Sequence, residues 1–360
     1  IRLLFRELAA LSAVVIIFFI IFFNVTHFLL PISSPSEQQP LVESSRSSTT
    51  LPENPTLIEE RREFLAVVLS SPSEVRLYTF DWEKHLTLWK ILQLNKRPMD
   101  AIFADGLLYV AVEQNDEGSV QAWDLTQFEL RREYKTGSIT SLAVGKDYLF
   151  AIAENDVLLI DKETAEITRV PVDGDPLFLE YVSSLDNVFV GMQDAPNIVM
   201  INPRIARVAK IIRVSGFPQD MAVTIDQRIL TVATRDDDVL SLIPLNLLRQ
   251  TQAVITGQEP AAVVAGPDGK LLFVANSRSH EVSVVILSQV KRLLNIPVGS
   301  GPTKLAVHPD GKKVVVFNSG EGSLSVIDMD SLQERQRLLL SADAVALLMV
   351  SGEASSTGVF

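Results

Sequence analysis

The sequence predicts an all-β protein made of a repeated four-strand unit and closed into a ring by its own two ends. Three observations carry this. A motif recurs at a fixed interval: Pro260 to Pro302, Asp268 to Asp310, Asn276 to Asn318 and Val284 to Val326 are each 42 residues apart. Short apolar or alternating runs are separated by Gly, Pro, Asn and Asp, as strands are by tight turns. The first unit lacks an apolar opening strand, while a spare one stands at 343–350, DAVALLMV. A period of this size marks supersecondary units that stack on one another.

The chain begins with IRLLFRE and then an uncharged run from Leu8 to Leu30. About 20 apolar residues cross a bilayer core, so 8–30 is expected to be a single transmembrane helix. Its length exceeds a signal-peptide core, and no small-x-small cleavage site follows. Arg2 and Arg6 precede it and no Lys or Arg follows until Arg46. By the positive-inside rule residues 1–7 are expected in the cytoplasm and the rest outside, in a periplasm-like space beyond a bacterial-type inner membrane. Asn24-Val25-Thr26 has the glycosylation triplet but abuts the apolar run, where a transferase has no access. Residues 31–57 are rich in Ser, Pro, Glu and Thr. They read as a flexible linker of about 30 Å reach.

The repeats occupy 58–350, with a tail at 351–360. Stepping back by 42 from Pro260 finds Pro218 and Pro176; stepping back from Asn276 finds Thr234 and Met192. Earlier units are shorter and keep the order of strands, here called a to d. Strand a reads as nearly all apolar, and c alternates. Strand c often ends in an apolar residue and Asp: Phe80-Asp81, Trp123-Asp124, Ile160-Asp161 and Ile327-Asp328. Such an Asp caps the following turn by accepting its N–H groups. Pro302 plus 42 is Ala344, so the C-terminal strand can supply the missing strand a of the first unit. This gives seven units arranged as a seven-bladed β-propeller, a closure that removes exposed sheet edges.

The units 257–298 and 299–340 resemble the YVTN-type propeller repeat. They carry Gly-x-x-Pro (Gly257 to Pro260, Gly299 to Pro302), then Pro-Asp-Gly-Lys (267–270, 309–312), then Phe273-Val274-Ala275-Asn276 and Val315-Val316-Phe317-Asn318. The likeness fades to hydrophobic pattern in the first three blades. It implies a seven-bladed ring. The family includes surface-layer and periplasmic proteins and has lactonases and quinoprotein subunits among its relatives, so it implies no single activity.

Chemistry is sparse. There is no Cys, which excludes disulfides, thiolate sites and thiol nucleophiles. His27, His85, His280 and His308 fall in different segments, so no metal cluster is expected. Gly299-Ser300-Gly301 has no helix behind it to bind phosphate, and no Gly-x-Ser-x-Gly elbow occurs. Asp236-Asp237-Asp238 lacks the alternating spacing of a calcium loop. Neither a catalytic residue nor a cofactor is predicted. A net charge of -12 argues against nucleic acid as a partner.

Charge gathers instead on one face. The b–c turns carry Asp116, Glu117, Glu154, Asp156, Asp194, Asp236, Asp237 and Asp238, together with Glu74, Glu281 and Glu321. Such a surface attracts basic partners or cations, although short turns favour Asp on their own account. Both chain ends are expected on the opposite, near-neutral face. The expected function is a non-enzymatic, membrane-anchored scaffold or accessory subunit of a bacterial membrane complex, of a respiratory or photosynthetic kind. The alternatives are a lactonase-like or other hydrolase with its site at the channel, and a periplasmic or cell-surface ligand-binding protein.

Overall fold

The structure, a computed structural model, describes residues 63–80, 85–115 and 117–351. The expected cytoplasmic segment 1–7, transmembrane helix 8–30 and linker 31–57 lie outside the described residues. So do Asp81, Asp116 and the tail beyond Ser351. Among the described residues no helix is long and apolar enough to cross a membrane.

Seven antiparallel sheets of four strands each make up the fold. The first three strands are β1 (Glu63–Ser71), β2 (Ser73–Phe80) and β3 (Leu86–Gln93). Blade 2 is β4 (Arg97–Ala104), β5 (Leu107–Gln114), β6 (Glu117–Asp124) and β7 (Glu129–Lys135). Blade 3 is β8 (Ser141–Val144), β9 (Tyr148–Ala153), β10 (Asp156–Asp161) and β11 (Ile167–Pro171). Blade 4 is β12 (Pro176–Val182), β13 (Asn187–Met192), β14 (Asn197–Asn202) and β15 (Arg207–Arg213). Blade 5 is β16 (Pro218–Val223), β17 (Ile229–Thr234), β18 (Val239–Pro244) and β19 (Gln252–Ile255). Blade 6 is β20 (Pro260–Ala265), β21 (Leu271–Asn276), β22 (Glu281–Ile286) and β23 (Lys291–Pro297). Blade 7 is β24 (Pro302–Val307), β25 (Lys313–Asn318), β26 (Ser323–Asp328) and β27 (Gln333–Leu339). The last strand, β28 (Asp343–Ser351), pairs with β1 and becomes the inner strand of blade 1. The register is antiparallel from Glu63 with Ser351 to Ser71 with Asp343. The sequence-derived closure is therefore present.

The apolar pattern of the second strand of each blade follows from its position between two neighbours. Successive side chains on a strand point to opposite faces. On β1, Leu65, Val67 and Leu69 pack with Val315, Phe317 and Val326 of blade 7. Phe64, Ala66 and Val68 pack the other way, with Leu108, Val110 and Val112 of blade 2. Both faces are buried, so alternation disappears and the strand reads as a continuous apolar run. Seven such clusters join every blade to the next, and the one between blades 7 and 1 closes the circle.

The turns behave as their chemistry dictates. Asp268 Oδ1 accepts from the Lys270 amide at 2.9 Å, and Asp310 Oδ1 from the Lys312 amide at 2.8 Å. Gly269 and Gly311 take φ of 67° and 70°, where a side chain is strained. At strand-c ends, Asp124 Oδ1 accepts from Thr126 at 2.8 Å, Asp161 Oδ1 from Thr164 at 2.7 Å and Asp328 Oδ1 from Ser331 at 2.8 Å. These aspartates cap turns, as expected.

Candidate functional site

Two places collect charged side chains: a loop face and the central channel. The loop face is formed by the b–c turns and the d–a connections, which hydrogen-bond to each other around the ring. Gly118 O receives the Thr136 and Gly137 amides, Asp175 O receives Gln193, Phe217 O receives Arg235, and Gly301 O receives Ser319. The turns of seven blades thus form one supported surface rather than separate hairpin tips.

The predicted acidic residues on that surface divide into two groups. Glu117, Glu154, Asp194, Asp236 and Asp237 are exposed there. Asp156 is half-buried and lies 3.2 Å from Arg169. Asp238 is half-buried, and its Oδ1 accepts the Glu259 amide at 2.8 Å. Asp116 lies outside the described residues. Glu74, Glu281 and Glu321 serve the structure. Glu74 is buried against Arg76 at 2.7 Å, Glu281 accepts from Asn295 at 2.7 Å, and Glu321 accepts from Ser323 at 2.6 Å. Asp173 and Asp175, both exposed, join them from the adjoining d–a loop, outside the b–c turns that the sequence pattern singles out. The Asp175 amide donates to Asp194 Oδ1 at 3.1 Å, so three acids gather beside Gly174. Bases on these described loops are Lys96, Arg235 and Arg278. On the opposite face acids and bases pair: Lys162 with Asp105 at 2.6 Å and Arg204 with Asp186 at 2.7 Å.

The channel corrects one expectation. The inner strands are not uniformly apolar. Asp100 on β4, Glu180 on β12, Asp220 on β16 and Lys304 on β24 interact electrostatically across the centre of the ring. A bulge after the proline, between Pro98 and Asp100, Pro218 and Asp220, and Pro302 and Lys304, turns three of them to equivalent places. An inner strand has a free edge toward the channel, whose amides need partners. Asp100 supplies them: Oδ1 accepts the Ala101 amide at 2.8 Å and Oδ2 the Leu142 amide of the next blade at 2.8 Å. Asp220 Oδ2 accepts the Val263 amide of the next blade at 2.8 Å. The signal was legible as Pro-x-Asp, Pro-x-Asp and Pro-x-Lys in one frame.

All three carboxyl groups retain part of their surface toward the lumen while protein encloses them on every other side. Enclosure disfavours the charged form. It pushes Glu180 up to about 8, helped by the nearby Asp220, and Asp220 up to about 6 against its backbone donors and Lys304. Asp100 is raised by the same burial, opposed by Lys304 and the Leu142 amide. Ser141 also bonds Asp100, and among the described residues no histidine is bonded to the pair as a nucleophile's base would be. His280 accepts the Gly301 amide, and His308 sits between Glu63 at 3.0 Å and Asp310 at 2.8 Å. Among the described residues no group of three or more His, Cys, Asp or Glu could hold a metal ion. The channel groups tie blade to blade, and of their three raised carboxyls Glu180 is shifted further than Asp220, although the Val223 backbone of the next blade opposes the shift.

Neither a family model nor a curated protein sequence matches the chain. Solved structures do. A protein of unknown function from Desulfotomaculum acetoxidans superposes with a TM-score of 0.69 at 12% identity, over 79% of this chain and 98% of that one. A Bacteroides fragilis protein provisionally assigned as a 6-phosphogluconolactonase gives 0.68 at 14%, over 82% and 100%. A chain of Kuenenia stuttgartiensis hydrazine synthase gives 0.59 at 14%, over 67% and 86%. At these identities the likeness is one of fold: the seven-bladed propeller is shared, and activity does not follow from it.

Proposed function

We propose that this propeller is a non-enzymatic interaction module, tethered to a bilayer by residues 8–30 and presenting its acidic loop face to protein partners. The observation that carries the reading is the contrast between the two charged places. The channel carboxylates Asp100 and Asp220 are consumed in bonding the next blade. Glu154, Asp173, Asp194 and Asp237 stand exposed on a rigid, hydrogen-bonded surface. Surfaces of one sign speed and orient association with a partner of the other sign. Glu63 pairs with Ser351, so both ends of the described chain lie at the end of blade 1 opposite its b–c turn. On this reading the propeller lies in the extracytoplasmic space of a bacterial-type cell, as an accessory subunit of a membrane assembly.

The test is purification of the full chain in a gentle detergent, followed by identification of what accompanies it. A variant with Asp173, Asp175, Asp194, Asp236 and Asp237 changed to Lys should lose those companions. A protein that runs alone, or a variant that keeps every companion, rules the reading out.

A second reading, a hydrolase with its site at the channel, draws on Glu180. A carboxyl held protonated to about 8 is suited to act as a general acid. Turnover of a lactone or ester that disappears in Glu180→Gln, while the fold is retained, would establish it.

A further inference from the structure

The rim at which β1 begins carries an aromatic and basic cluster that continues the core between blades 1 and 2 to the surface. Phe64, the second residue of β1, stacks on Trp89 of β3 with ring centroids 4.6 Å apart and planes at 16°. Trp89 also meets Phe128, from the β6–β7 turn of blade 2, at 5.9 Å. Lys90 Nζ lies 3.2 Å from the Phe128 ring centroid, a close cation–π contact. Trp89 is 42% exposed and its strand neighbour Leu88 is 51% exposed. Turns between third and fourth strands and turns between first and second strands share the face at which β1 begins, so this cluster sits at that face's edge.

Phe128 is placed there at some cost. It takes φ of 58°, a region that bulky residues avoid. The equivalent turn residues, Ala165, Ala206, Leu248, Val290 and Leu332, share the conformation without an aromatic ring. Among the described turns of this kind, that of blade 2 presents a phenyl ring, which packs against the core between blades 1 and 2 and carries it out to Trp89 and Lys90 at the rim.

We infer that this Trp89–Phe128–Lys90 rim docks on the surface of the lipid bilayer, an inference that rests on the tether reading given above. Three observations select lipid over a protein partner. An indole and a phenyl ring beside a lysine match the boundary between acyl chains and headgroups, where aromatic and basic side chains concentrate. The described chain begins at Glu63, next to Phe64, and the proposed tether at 8–30 precedes it in the sequence. The tether therefore holds the rim near the bilayer at high effective concentration, and a weak patch suffices. Charge supports the same orientation, because the acidic loop face lies at the other end of the ring and an anionic leaflet repels it. Docked this way, the propeller turns its acidic loops away from the membrane.

The chain has no cysteine, so a single label can be placed without altering the background. The full chain would be reconstituted into phosphatidylcholine–phosphatidylglycerol vesicles with brominated acyl chains. A bimane probe on Gln127→Cys, next to Phe128, is expected to be quenched about twofold or more beyond one on Asp236→Cys. Adding Trp89→Ser should abolish that difference, with circular dichroism confirming the fold. Flotation of the same vesicles reports the tether independently. Chains that float but show equal quenching at the two sites overturn the docking and leave the tether intact. Chains that do not float overturn both.

Discussion

Glu180 shows how much a single side chain depends on its surroundings. Its carboxyl is raised to about 8 by enclosure, and Asp220 is raised to about 6. A carboxyl raised on folding stabilises the native state while protonated in both states, and that contribution falls as pH climbs through the folded value. Stability should therefore decline between about pH 4 and pH 8 as Asp220 and then Glu180 ionise. Glu133 works in the opposite sense. The Ser119 hydroxyl and Lys96 hold it down to about 2, so its contribution is lost only in strong acid. Glu180→Gln should match the parent near pH 5 and melt at a higher temperature at pH 9, by thermal unfolding followed by circular dichroism. A variant that melts lower at pH 9 contradicts the burial argument. Gly118 is a second single-residue case. A Cβ there would lie 1.9 Å from the Gly137 carbonyl oxygen, and backbone cannot yield as a side chain can. Gly118→Ala should cost about 3 kcal/mol in urea unfolding. Gly257→Ala meets the Glu281, Ser279 and Asn276 side chains and should cost less.

The decisive element is β28. It supplies the inner strand of blade 1 and contributes Ala346 and Val350 to one interblade cluster and Leu347 to another. A chain ending at Ser341 would leave β1 with an open edge and strip apolar surface from both blade 7 and blade 2. It should aggregate or lose its single cooperative transition, whereas Leu347→Ala should keep the transition and lose about 2–4 kcal/mol. Calorimetry of the two distinguishes closure from ordinary core packing. The inner strands β4 and β16 depend on a smaller version of the same device. Asp100 and Asp220 accept the edge amides of the following blade. Asp100→Ala should thus cost more than Asp100→Asn, because the amide oxygen of Asn can still accept from Leu142.

At the scale of the whole molecule, charge separates the two ends of the ring. Opposite-sign pairs occur at both ends, Lys162–Asp105 and Arg204–Asp186 at one and Arg235–Asp236 and Arg278–Glu259 at the other, while Glu154, Asp173, Asp194 and Asp237 stand exposed on the second. Capture of a basic partner by the acidic loops should weaken steeply from low salt to about 0.5 M, where the screening length has fallen to about 4 Å. Binding that is indifferent to salt would point to an apolar contact instead. The architecture behind this was readable in advance. The 42-residue interval located blades 4 to 7, and the spare apolar strand at 343–350 located the closure. The loop alternation placed Glu117, Glu154, Asp194 and Asp236 on one face. Asp173 and Asp175 escaped because they belong to the turn between blades, and Asp100, Glu180, Asp220 and Lys304 because each is a lone polar residue in an apolar strand.

What the amino-acid sequence determined by itself is the ring. Repeat spacing, turn residues and doubly buried strands are local or periodic properties, and each is written within a window of about 40 residues. What only the tertiary structure decided is which side chains meet. Asp100 and Lys304 are far apart along the chain and belong to blades 2 and 7, and no periodicity says that they share a lumen. Phe64, Trp89 and Phe128 likewise come from three strands or turns of two blades. The electrostatic environment of Glu180, and so the pH at which it holds its proton, exists only once seven separate segments have closed around it. Charge and enclosure act through space, and the chain sets distances through space only by folding.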